Sequence, residues 1–231
     1  MAAGASAQGQ DGHELTATLT QLNDSGASGT AWAMVDGNQV HIKVDTQGLL
    51  EGSPHAQHIH IGGQGVCPTG DMAGEDGILS TAEGAPAYGG VKVSLTEEPG
   101  KTDAGAALDV ENFPAGASNN YERTITVDDA LAQQIANGDG VVVVHGIDPD
   151  GSGEYDGDAK SSLDDSLPLE ATAPAACGEL EQAQMAMPEG GVETGGTSTA
   201  GMEYPGAVAL GALALALGGA GFAANRLRTN R

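Results

Sequence analysis

Basic residues are scarce in this chain: 8 Lys and Arg stand against 32 Asp and Glu, a net charge of −24 over 231 residues. Three of the arginines lie in the last six positions, so residues 1–205 carry 5 basic and 32 acidic groups. Phosphate binding needs clustered Lys and Arg, so nucleic acid is excluded as a partner. Anionic membrane surfaces would repel the acidic part. Aromatics are also few, with 1 Trp, 4 Tyr and 2 Phe, so any core is small and aliphatic. Leu, Ile, Val and Phe make up only 41 of the 231 residues, a composition that by itself leans toward disorder. The distribution overrides that leaning, because the apolar residues sit in short patterned runs. No phosphate-cradling Gly loop and no Ser/His/Asp signature is present.

The one long run free of both charge and strongly polar side chains is Gly206 to Ala224, followed by Arg226, Arg228 and Arg231. At about 1.5 Å per residue such a helix spans roughly 28 Å, close to the hydrocarbon core. The trailing arginines place the C-terminus inside. Residues 206–224 are therefore expected to be a transmembrane helix, 225–231 a cytoplasmic basic tail, and 181–205 a flexible Gly-rich stalk outside the cell. Residues 1–12 read either as the remnant of a signal peptide, since Ala5-Ser6-Ala7 has the form of a cleavage site, or as a disordered N-terminus. The stalk resembles a cell-wall sorting signal that would be cut at Thr194-Gly195, although the usual Leu-Pro is absent. Met185 and Met187 read as ordinary linker residues, with soft copper ligation as the other reading.

Residues 13–180 read as strands. Thr30 to Val35 and Val40 to Asp45 flank Asp36-Gly37-Asn38, a hairpin spelling. Val40, Ile42 and Val44 share one face by period 2. Further strands are expected at His58 to Ile61, Val91 to Leu95, Tyr121 to Val127 and Val141 to Val144. Four consecutive valines suit a strand covered on both faces. One short helix is expected over Asp129 to Ala136, capped by Asp128 and followed by Gly138. Residues 62–90 show little strand pattern and are expected to form an ordered loop or functional lobe. Together these elements predict an all-β, antiparallel β-sandwich or barrel. In an exported protein the two cysteines, Cys67 and Cys177, imply a disulfide; two free buried thiols are the other reading.

His55, His58 and His60 sit in Pro54-His-Ala-Gln-His-Ile-His-Ile, and His145 ends the valine run. On a strand, residues 58 and 60 point to one face, so two imidazoles converge on one ion, and a third from another strand would complete a three-nitrogen site. Imidazole suits Cu, Zn, Ni and Fe. The bland reading of His-x-His is a satisfied surface or core pair. His13 and His41 read as incidental. A second motif, Asp148-Pro-Asp150-Gly-Ser152-Gly-Glu-Tyr-Asp156, places oxygens at alternate positions like the start of a calcium loop. Ala159 replaces the bidentate Glu of an EF-hand, so the candidate is a single weak calcium site on Asp148, Asp150, Ser152 and Asp156, or a solvated acidic turn.

The series Gly52-x-x-His55-x-x-His58-x-His60, Cys67, Val-Val-Val-His145-Gly and Ala176-Cys177-Gly178 resembles the copper/zinc superoxide dismutase family over roughly residues 14–180. That resemblance implies a Greek-key barrel with a Cys67–Cys177 bridge. It also implies copper on His58, His60 and His145, and a bracing role for His55 through a backbone hydrogen bond. Superoxide would be the substrate, and a bound copper ion the alternative end in itself. The chain departs from the family in two ways. No His lies between His60 and His145, so the bridging His and the zinc site are missing and zinc is not expected. Pro174 stands where the family has an anion-guiding Arg. The region is also similar to the chordin-like (CHRD) β-sandwich, a module without established chemistry. Two functions stand side by side: a membrane-anchored copper dismutase, or a copper-binding or purely structural surface domain.

Overall fold

The computed structural model describes residues 12–183. The expected signal remnant, most of the stalk, the sorting signal and the transmembrane span fall outside that range. Among the described residues no helix is long and apolar enough to cross a membrane.

The described residues are all-β with a few short helices. The strands are β1 (His13–Gln21), β2 (Ser28–Asp36), β3 (Gln39–Gln47), β4 (Gln57–Gly62), β5 (Gly89–Ser94), β6 (Ser118–Thr126), β7 (Val141–His145), β8 (Pro174–Glu179) and the two-residue β9 (Glu181–Gln182). They form one antiparallel sheet in the order β5-β4-β7-β8-β1-β2-β3-β6, with β9 beside β1. The curl of the sheet brings its last strand toward its first. On β6, the Tyr121 hydroxyl donates to the Thr96 carbonyl at 3.2 Å, and Arg123 donates to the same oxygen at 2.7 Å. Thr96 lies just past β5, so side chains rather than a backbone ladder bridge the seam.

Alternation explains most of the sheet. In β1, Leu15, Ala17 and Leu19 point inward between exposed threonines and meet Ala31, Ala33 and Val35 of β2. Val40, Ile42 and Val44 of β3 continue this core. The β2–β3 turn is a tight two-residue connection in which Gly37 takes φ +57°, a conformation that favours glycine. β7 is buried along its whole length, as its four valines require. Val142 and Val144 join the central core, whereas Val141 and Val143 face the opposite way, toward Tyr88 and Cys177. That opposite face of β4 and β7 is roofed by loops and short helices, and the histidines lie on it.

The helix expected at Asp129–Ala136 is present as α2, with the Asp128 side chain accepting from Leu131 N at 2.9 Å. Two further helices appear: α1 (Thr81–Tyr88) and the single turn α3 (Leu169–Thr172). α1 lies inside the segment expected to be a loop. Gly84 and Pro86 conceal it, yet Ser80-Thr-Ala-Glu83 spells a capping box, and both of its reciprocal hydrogen bonds form. β1 and β8 escape the pattern reading because Ala17 in β1 and Ala175 and Ala176 in β8 stand where larger aliphatics give the usual signal. Residues 181–182, at the head of the expected stalk, pair with Thr16 and Leu15.

Cys67 and Cys177 are bridged. The bond ties the segment ahead of α1 to β8, near the middle of the sheet, and closes a loop with a sequence separation of 110. In the loop-entropy picture such closure contributes roughly 4–5 kcal/mol. Cys67→Ala is expected to lower unfolding free energy by about 3–5 kcal/mol in urea titrations of the oxidised protein; a loss below about 1 kcal/mol would show that the segment is held without it.

Candidate metal centre

β4 carries His58 opposite Val143 and His60 opposite Val141, so both rings project from the same face as the odd-numbered residues of β7. His145 ends β7 on that face, and its amide donates to the Ala56 carbonyl at 2.8 Å. One ligating nitrogen from each of His58, His60 and His145 lies within 4.8 Å of the other two. The rings are 3%, 1% and 3% exposed, so the cluster is withdrawn from bulk water.

Each ring is tied at one nitrogen and bare at the other. His58 Nε2 is 3.1 Å from the Ala107 carbonyl, His60 Nδ1 3.0 Å from the Gly89 carbonyl, and His145 Nδ1 2.7 Å from the Thr172 carbonyl. A carbonyl oxygen accepts only, so each of these nitrogens carries the proton. The lone pairs are then left on His58 Nδ1, His60 Nε2 and His145 Nε2. These three atoms are buried and without a hydrogen-bond partner. Buried polar atoms are nearly always paired, so three orphaned acceptors in one place fit a metal ion.

Burial makes the neutral rings the stable ones. It holds His58 well below the ordinary imidazole value, with the neighbouring rings of His145 and His60 adding to the effect. Burial lowers His60 to about 4. Burial and the His60 ring lower His145 to about 3. A metal therefore meets unprotonated donors near neutral pH.

His55 stands outside the triad and is buried. Its Nδ1 lies 2.9 Å from the His145 carbonyl and its Nε2 2.9 Å from the Leu50 carbonyl, so the ring links the 50–55 segment to the end of β7. The Tyr155 hydroxyl, 3.1 Å from His55 Nδ1, anchors the acidic loop to the same spot. A side chain at Gly146 would collide with that hydroxyl and come within 2.6 Å of His55 Nδ1, and the φ of +107° there also favours glycine. His41 lies apart, on the outer face, 3.0 Å from Glu122.

The acidic loop mostly organises its own backbone. Asp148 accepts from the amides of Gly151, Ser152 and Gly153, each at 3.0 Å. The Ser152 hydroxyl donates to Asp156 at 2.7 Å. Asp150 and Asp156 come within 4.8 Å of a third carboxylate, that of buried Glu170. Ser152 touches this group through both Asp150 and Asp156, Asp148 is not one of its three carboxylates, and Glu170, too distant in sequence to suggest itself, is.

The three histidines line a cavity of about 30 Å³, room for about one water-sized group. Aliphatic side chains and two threonines complete its lining. Sequence reading missed the residues that orient the rings. Ala107, Gly89 and Thr172 act through their carbonyls, which leave no side-chain signature. Tyr88, in contact with His60 at 4.5 Å between ring centroids, and Phe113, 5.2 Å from His58, were hidden in stretches without strand pattern.

The three depressed rings fix the pH response of the metal-free fold. Unfolded imidazoles take up protons near 6.5, the folded ones only near 4 and 3, so between these values the unfolded state binds more protons. Stability is therefore full above about 6.5 and falls as pH is lowered toward the folded values. Denaturant titrations of metal-free protein should show this fall, and His60→Gln should reduce its steepness below pH 6.5 relative to wild type. An equal slope in both proteins would contradict the buried neutral ring.

A family model described as the CHRD domain matches residues 15–153, a stretch that includes all three histidines. No curated protein matches the chain. Among solved structures, Candida albicans Superoxide Dismutase 5 in a Cu(II) form is similar at 15% identity with a TM-score of 0.41, covering 77% of this chain and 97% of that one.

Proposed function

The chain belongs to the CHRD domain family, and from that premise we propose that this member is a copper-binding domain in which His58, His60 and His145 hold the ion. The observation that carries this reading is the convergence of three buried, unpartnered nitrogens whose rings are each tied by a backbone carbonyl. A structural pair or trio of core histidines would satisfy both nitrogens. Imidazole donors suit copper and zinc alike, and the order of histidines and cysteines in the sequence resembles copper-binding dismutases.

Bound copper supplies one-electron chemistry. The chain's own residues orient and protect. Ala107, Gly89 and Thr172 fix the tautomers, His55 positions the end of β7, and Phe113 and Tyr88 keep water from the ring faces. Superoxide dismutation is the activity the dismutase resemblance implies. Little in this chain guides an anion: Pro174 stands in place of a guiding Arg, Lys160 is the one basic residue between His145 and Cys177, and the net charge is −24. We therefore place metal binding ahead of turnover. A location outside the cytoplasm belongs to the same proposal, supported by the Cys67–Cys177 bridge and by the apolar run 206–224 with its basic tail.

The full chain should retain one copper per molecule through gel filtration, and the His58→Ala/His60→Ala/His145→Ala variant should retain none. Superoxide decay per bound copper is expected to stay at or below that of free copper. Turnover well above free copper, lost in the variant, would make the domain a dismutase. Absence of copper from the wild-type protein would end the copper reading.

A further inference from the structure

The cavity bears on which oxidation state of copper the site suits. All three donors are neutral rings, and none brings a compensating charge. No Asp, Glu, Lys or Arg lines the cavity; its other walls include Val91, Leu108, Val110, Leu163 and Ala171. The two lining hydroxyls are already engaged, Thr81 donating to the Thr172 carbonyl and Thr172 to the Ser161 hydroxyl. An ion here keeps its full charge in a medium of low dielectric. The cost of burying a charge rises with its square, so a doubly charged ion pays about four times what a singly charged one does.

Coordination number points the same way. Cu(II) prefers a tetragonal N/O set, whereas Zn(II) accepts four tetrahedral ligands and is disfavoured here by its charge alone. The protein offers three nitrogens, and the space of about 30 Å³ admits about one further small group. The donors also have little freedom to spread. His58 and His60 are fixed two residues apart on β4, each distal N–H is held by a carbonyl, and Phe113 and Tyr88 pack edge-on against the rings. A ring that swung out to accommodate a flatter ligand set would leave its buried carbonyl without a donor.

We infer that the site selects monovalent copper over divalent ions, with Cu(I) as its resident state, because a rigid set of three neutral donors sits in an uncharged apolar pocket. This rests on the copper reading given above. It makes the domain a holder of Cu(I) rather than a centre poised midway between two oxidation states.

The test compares affinities of the full-length protein. Cu(I) is titrated anaerobically with ascorbate against a chromogenic Cu(I) chelator; Cu(II) and Zn(II) are titrated against competing chelators in air. The dissociation constant for Cu(I) should lie at least about a hundredfold below those for Cu(II) and Zn(II), and the X-ray absorption edge of the loaded protein should remain that of Cu(I). Val110→Glu brings a carboxylate to the cavity wall and should narrow the Cu(I)/Cu(II) ratio by about tenfold or more. Leu163→Glu, at a position 48% exposed and tolerant of change, should act in the same direction. Divalent ions bound as tightly as Cu(I), or a ratio that neither variant alters, would overturn this inference while leaving the copper site standing. Failure to retain copper in either state would instead overturn the copper reading, and this inference with it.

Discussion

Three peptide carbonyls, those of Gly89, Ala107 and Thr172, decide what the histidines can do. Each takes the single proton of a neutral imidazole and so dictates which nitrogen is left to face its neighbours. The three oxygens come from widely separated parts of the chain: the end of α1, a turn before β6, and α3. The sheet delivers the rings to one face, but the roof above it selects their tautomers. Without the roof, the same histidines would be exposed groups free to rotate and to protonate near 6.5.

This division explains what could be read from the sequence. Period-2 alternation exposes Val40, Ile42 and Val44 as a strand face, and the four valines announce a doubly covered strand, so the positions of His58, His60 and His145 follow from local pattern. The spacing of Cys67 and Cys177 with the histidines added the bridge. The roof is different. Gly84 and Pro86 disguise α1, residues 104–113 consist of short turns, and a carbonyl acceptor belongs to every residue alike. Nothing in a linear pattern marks Gly89 as the partner of His60 or brings Glu170 to Asp150 and Asp156. Those relations are set by how loops fold over a surface, where sequence has no repeating signal.

Charge is segregated in a similar way. Among the described residues most acids lie on loops and outer faces, buried Glu170 apart, while the cavity wall carries none. The acidic loop nonetheless reaches the centre through Tyr155, whose hydroxyl bonds both the Pro54 carbonyl and His55. A neutral phenol does this joining, so the loop touches the brace without bringing a formal charge to it. Gly146 makes the arrangement fit, since any larger residue would occupy the hydroxyl's place.

The pairing of β8 with both β7 and β1 has a consequence in time. β1 finds one of its neighbours only when residue 177 has been made, and Thr172, which orients His145, emerges scarcely earlier. A nascent chain therefore carries His58, His60 and Cys67 through the 110 residues up to Cys177 with neither ligand geometry nor disulfide in place. Assembly of the centre is a late, whole-domain event, slow in the way that long-range strand pairing is slow. The three rings can act together only once that last strand is in place.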